Sequence, residues 1–97
     1  MPEKLVRNGV PAVVPEKKFR TAEPGEMFQL LREKLTEEVE EFLIANSMDE
    51  LADVLDIVLT LSMFIGGTDE LFEKSDAKFD LLGDFSDRVV YIWEDEK

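Results

Sequence analysis

Two pairs of carboxylates at helical spacing carry most of the chemistry this chain could perform. Glu38 and Glu41 stand in Lys34-Leu35-Thr36-Glu37-Glu38-Val39-Glu40-Glu41-Phe42, and Glu50 and Asp53 stand in Glu50-Leu51-Ala52-Asp53-Val54-Leu55. Residues three apart share one helix face, so each pair presents its oxygens one turn apart. The chain has no histidine and no cysteine. Imidazole and thiolate ligands are thereby excluded, and so are disulfides. Any metal must be held by oxygen, which favours hard ions such as Mg²⁺, Mn²⁺ or Ca²⁺.

Glu38 is the residue hardest to explain without a ligand. At about 100° per residue, Leu31, Phe42, Leu35 and Phe28 fall within about 60° of one another and define a buried stripe. Glu38 falls about 20° from Leu31, inside that stripe, and Glu41 lies on its border. A lone buried carboxylate is costly unless it is paired, protonated or bound to a cation. Lys34 or Arg32 could reach it; otherwise a cation must. Glu37 and Glu40 point farther out.

These residues need two helices joined by a short turn. The first is expected from about Gly25 to Ala45. Asn46-Ser47 breaks it, and Ser47-Met48-Asp49-Glu50 reads as a capping box opening a second helix, Met48 to Ile65, which stops at Gly66-Gly67. Glu38 and Glu41 then lie about 7 to 12 Å from the turn, and Glu50 and Asp53 lie at similar depth on the other side. All four can converge. The bland alternatives are that Glu50 is only the capping residue, and that Asp49, Asp53, Asp56 and Thr60 are only the wet face of a helix.

Around this hairpin, residues 1–24 hold four prolines and are expected as an extended arm, with Lys4–Val6 and Ala12–Val14 as strand pieces. Thr68 is expected to cap a third helix, Asp69 to about Leu81. The tail, residues 83–97, carries the strand-forming run Arg88–Trp93, which could pair with the arm, and a terminus, Glu94–Lys97, expected to fray. The second helix is apolar almost all round, so more than one neighbour must cover it. The expected architecture is one all-α domain of 97 residues: a helical hairpin in the core 25–82 plus a third helix, completed as a bundle by a homodimer or homotetramer.

Net charge is −12. Residues 1–34 carry seven Lys/Arg against five Asp/Glu, and residues 35–97 carry four against eighteen. Such a surface repels nucleic acid polymers and acidic membranes. No apolar run approaches the ~20 residues of a membrane span, and nothing at the N-terminus reads as an export signal, so the expected location is cytoplasmic.

The ordered blocks resemble the all-α nucleoside triphosphate pyrophosphohydrolases, in particular the MazG-like, phosphoribosyl-ATP-pyrophosphohydrolase-like branch. Lys4-Leu5-Val6-Arg7-Asn8-Gly9-Val10-Pro11 is similar to that branch's KLVRDKIP opening. The two carboxylate blocks are similar to KLxEEvxEf and ELADVLE, and Gly83-Asp84-Phe85-Ser86-Asp87-Arg88-Val89-Val90 to the closing RGGFxxRIvl. The resemblance implies a Mg²⁺-dependent enzyme, with Mn²⁺ as an alternative ion, that converts a nucleotide substrate to monophosphate and pyrophosphate. It implies Glu38, Glu41, Glu50 and Asp53 as metal ligands, Glu37 and Glu38 as catalytic carboxylates, and Arg7, Lys34, Lys78 and Arg88 as phosphate-binding residues. The chain departs from the branch at Asn8-Gly9, in place of Asp-Lys, and at Leu82-Gly83-Asp84, in place of Arg-Gly-Gly. A catalytically weak metal-, nucleotide- or protein-binding module of the same fold is the alternative, and a purely structural acidic dimer is a third.

Overall fold

Two long helices lie side by side, joined by only Asn46 and Ser47. In the computed structural model, which describes residues 3–94, the elements are α1 (Val10–Val13), a 3₁₀ turn (Pro24–Glu26), α2 (Met27–Ala45), α3 (Met48–Ile65) and α4 (Thr68–Leu82). No strand occurs among the described residues. The tight α2–α3 connection has a local cause. Asn46 adopts the left-handed conformation, φ 54°, which asparagine tolerates better than most residues, and its N–H donates to the Phe42 carbonyl at 2.7 Å. Ser47 then opens α3 by accepting a hydrogen bond from Glu50 N–H at 3.2 Å.

The arm is not built as its sequence suggested. Residues 4–6 form no strand, and Ala12 and Val13 belong to the single turn of α1. Pro11 favours that outcome, because its fixed φ suits the first turn of a helix and its missing N–H is not needed there. The arm is fastened at two levels. Arg20 donates to Glu3 at 2.8 Å and to Glu26 at 2.8 Å. Those Arg20 hydrogen bonds, helped by the Glu23 N–H, push the Glu26 carboxyl down to about 2. Lys4 and Arg7 then reach the hairpin itself, at the site described below.

Gly66 and Gly67 both have positive φ, 152° and 104°, and let α4 leave α3 at an angle of 108°. Gly67, not Thr68, holds the position before the first turn of α4. Helix α4 packs against α3 alone among the helices. The tail after Gly83 also departs from expectation, since Arg88–Trp93 pairs with nothing as a strand. Residues 95–97 lie outside the described part, so the frayed terminus expected there has only Glu94 inside it.

The resulting core is thin. Leu31, at the centre of the α2 stripe, is the one apolar side chain of the described residues that is fully buried. The radius of gyration is 17.7 Å, against about 12.5 Å for a well-packed domain of this length. The accessible surface is 8558 Å², where a monomer of this mass exposes ~5,700 Å². No single helix among the described residues is long and apolar enough to cross a membrane.

Candidate functional site

Glu38 is buried, at 5% exposure, as its place on the stripe requires. It is not alone. Lys34 Nζ lies 3.1 Å from Glu38 Oε2 and 3.1 Å from Glu37 Oε1, so the lysine one turn earlier is a partner for both. Burial opposes the charge on Lys34, but the hydrogen bonds to Glu37 and Glu38 outweigh it and raise its pKa. Glu37 is half-buried rather than solvated. Lys4 Nζ, coming from the arm, reaches Glu37 Oε2 at 2.7 Å, and this bond with that of Lys34 lowers the Glu37 pKa.

The other wall of the site comes from α3. Arg7 donates to Asp53 Oδ1 at 2.7 Å and to Asp56 Oδ2 at 2.8 Å. An open cavity of about 550 Å³ lies between the arm and the hairpin, bordered by these groups and by Glu41, Ile57 and Thr60. Asp53, Asp56 and Thr60 of the polar strip of α3 therefore face a cavity, while Asp49 does not border it.

Within this wall and floor, oxygens of Glu37, Glu38 and Glu41 lie within 4.8 Å of one another, and so do oxygens of Glu38, Glu50 and Asp53. Glu38 belongs to both groups. Six carboxylates, counting Asp56, meet three cations, Lys4, Arg7 and Lys34, leaving three formal negative charges uncompensated. Two observations locate the shortfall. The Glu41 pKa is raised, first by the negative charge of Glu38 and then by burial, Glu37 and Glu50. Glu50 Oε2 is buried with no hydrogen-bond partner. A buried acceptor left unmatched costs on the order of 1–3 kcal/mol. Hard oxygen donors, with a carboxylate among them that has an oxygen without a partner, fit a divalent cation such as Mg²⁺.

Glu50 also decides between two readings of its sequence. Half of the capping box is present, in the bond from Glu50 N–H to Ser47 Oγ. The reciprocal bond, from Ser47 N–H to the Glu50 carboxylate, does not form. The Glu50 side chain instead turns between the helices, where Glu38 and Asp53 meet it.

The cations expected to bind phosphate divide. Arg7 and Lys34 border the cavity. Lys78 lies on α4 beside a separate hollow with Phe79, Leu82 and Phe85, and Arg88 stands in the exposed tail with φ 61°. Neither borders the carboxylate cavity of its own chain. Lys4 and Asp56 do, though only the opening motif and the i, i+3 spacing from Asp53 hinted at them. The chain matches no family model, no curated protein and no solved structure.

Arg7 and a cation would compete for Asp53. Replacing Arg7 with alanine should tighten Mg²⁺ binding to the nucleotide-free protein severalfold, as read by isothermal titration calorimetry at low salt, because Asp53 then has no competing partner.

Proposed function

We propose that the chain hydrolyses a nucleoside triphosphate, or a related nucleotide, to monophosphate and pyrophosphate with Mg²⁺, and that it serves in clearing unwanted nucleotides. The single observation that supports this most is the pair of carboxylate groups sharing Glu38, one of which includes Glu50, whose Oε2 is buried and unpartnered. The ordered resemblance to the MazG-like pyrophosphohydrolases points the same way. Glu38, Glu41, Glu50 and Asp53 would hold Mg²⁺, or Mn²⁺ in its place. When bound, the ion supplies neutralisation of phosphate charge and makes water more acidic at neutral pH.

The chain's own groups supply the rest. Arg7 and Lys34 border the cavity and would exchange a carboxylate for a phosphate oxygen when the nucleotide enters, the arginine with its planar fork. Glu37 would accept a proton from the attacking water as its oxygen bonds to phosphorus and the bond to the departing pyrophosphate breaks. In the nucleotide-free state Glu37 is a weak base, because Lys4 and Lys34 hold its pKa low. Drawing those lysines toward phosphate strengthens it as a base when substrate is present.

A homodimer or homotetramer belongs to this reading. The accessible surface exceeds the monomer expectation by about 2,900 Å², whereas a stable complex needs ~800 Å² per partner. Lys78 and Arg88 could then serve only a neighbouring copy's site. The alternative, a weakly catalytic binding module, is favoured by the pairing of Lys4 and Arg7 with the carboxylates.

The test is a panel of canonical and modified NTPs and dNTPs incubated with the protein and Mg²⁺, with products resolved by chromatography. Monophosphate plus pyrophosphate is expected. Diphosphate plus phosphate means a different reaction, and no turnover with Mg²⁺ still raising the melting point selects the binding module.

A further inference from the structure

Their own hairpin leaves much of the apolar surface of helix α4 and of the tail uncovered. Helix α4 leaves α3 at 108° and touches no part of α2 among the described residues. Its apolar residues Phe72, Phe79 and Leu82 are more than half exposed. The tail continues outward with Phe85 at 96% exposure, and every residue of Val89-Val90-Tyr91-Ile92-Trp93 is at least 68% exposed. Five consecutive apolar and aromatic side chains in water, two of them with ring centroids 5.4 Å apart, form a patch that a soluble surface rarely leaves uncovered.

The hairpin carries a matching deficit. Met48, Leu51, Leu55 and Met63 on α3, and Leu43 on α2, are large and exposed. The α3 residues Met48, Leu51 and Leu55 follow helical spacing, so they form one stripe, on the side away from Asp53 and Thr60. We propose that residues 68–94 form an exchange arm, which packs the Val89–Trp93 run onto the apolar α3 stripe of a second copy of this chain while receiving that copy's arm in return.

Three observations select a second copy as the occupant. Arm and stripe are present on the same molecule, so one two-fold contact buries both deficits twice. The excess surface of about 2,900 Å² is several times the ~800 Å² per partner that a stable dimer needs. The charge pattern agrees: the chain carries −12 overall, yet Val89–Trp93 has no charge, nor does the Met48/Leu51/Leu55 stripe. Residues 35–97 of two copies, with four Lys/Arg against eighteen Asp/Glu each, repel, and within them an uncharged strip on an uncharged strip is the contact with least like-charge cost. This rests on the proposed self-association but not on any hydrolytic activity.

Trp93 is the only tryptophan, so it reports on the arm directly. The experiment is sedimentation of the full chain across a concentration series, with Trp93 emission and acrylamide quenching read on the same samples. The expected result is a dimer whose Trp93 emission is blue-shifted and shielded, and which moves to the red in step with dissociation on dilution. Ile92→Asp in the arm and Leu55→Asp in the stripe should each weaken the dimer at least tenfold while leaving helical circular dichroism unchanged. A dimer with Trp93 fully quenchable overturns the arm and leaves self-association standing. A monomer with shielded Trp93 means that the tail folds back on its own hairpin and also overturns it. A monomer with exposed Trp93 overturns arm and assembly together.

Discussion

Replacing Glu38 with glutamine is expected to lower Mg²⁺-dependent pyrophosphate release by about a thousandfold or more. Glu38 is the only carboxylate common to both oxygen groups, so its loss breaks both. Metal-assisted charge stabilisation supplies several kcal/mol, and ~4 kcal/mol corresponds to about a thousandfold in rate. The measurement is kcat/KM on the best nucleotide of the panel, with Mg²⁺ raised until the rate saturates. Recovery of full activity at high Mg²⁺ would mean that Glu38 only strengthens binding of the ion. Activity unchanged at every Mg²⁺ concentration would remove the carboxylate cluster from the mechanism. The Lys34 contact also alters what a purely structural role predicts. Were Glu38 a lone buried charge, Glu38→Leu should stabilise the protein; with Lys34 Nζ 3.1 Å away and 14% exposed, the leucine variant takes one of two partners from a largely buried lysine. Its stability gain should therefore be small or absent.

Mg²⁺ itself should raise the melting temperature by roughly 10–20 °C when present at about 100 times its Kd. Saturation at that level contributes ~2.7 kcal/mol, and each 1 kcal/mol moves the midpoint of a domain this size by about 4–8 °C. Differential scanning calorimetry at one fixed protein concentration, in EDTA and in millimolar Mg²⁺, gives the comparison. Glu50→Gln makes the test specific. It replaces a buried, unpartnered carboxylate oxygen by a neutral amide. In EDTA this variant should melt above the wild type, by several degrees for a gain of about 1 kcal/mol, because it removes one of three crowded carboxylate charges. In Mg²⁺ it should show little further rise, so the order of the two proteins reverses. Identical melts of the wild type with and without Mg²⁺ would sink the metal site, and with it both the enzymatic reading and the metal-binding module.

Two carboxylates of the site respond to pH in opposite senses. The folded-state pKa of Glu41 is raised by its carboxylate neighbours, so the folded protein holds this proton more tightly than the unfolded chain. The resulting stability is fully present below the ordinary value of 4.5 and is lost as pH rises through the elevated folded value. Glu37, lowered by Lys4 and Lys34, acts in the opposite sense, with stability present above 4.5 and lost as pH falls through its depressed value.

Where the three long helices lie was legible in the residues because the signals were local, whereas Ala12 and Val13 of α1 read as part of a strand piece. The hairpin turn at Asn46-Ser47 needs only a left-handed asparagine and a serine cap, and both work within four residues. The burial of Glu38 followed from periodicity alone, since a residue inside a hydrophobic stripe faces whatever the stripe faces. What lay beyond the sequence depended on partners distant along the chain. Lys4 and Glu37 are 33 positions apart, and Arg7 and Asp56 are 49 apart, and no local pattern joins them. Glu50 fits a capping box and a cluster equally well by spacing; only the packing of α2 beside α3 turns its carboxylate inward. The strand-forming tail likewise needs a neighbour to pair with, and the chain offers it none, because strand propensity reflects packing against a sheet that is absent among the described residues. Local chemistry set the long helices and their ends; tertiary contact decided which charges meet and which apolar faces stay exposed.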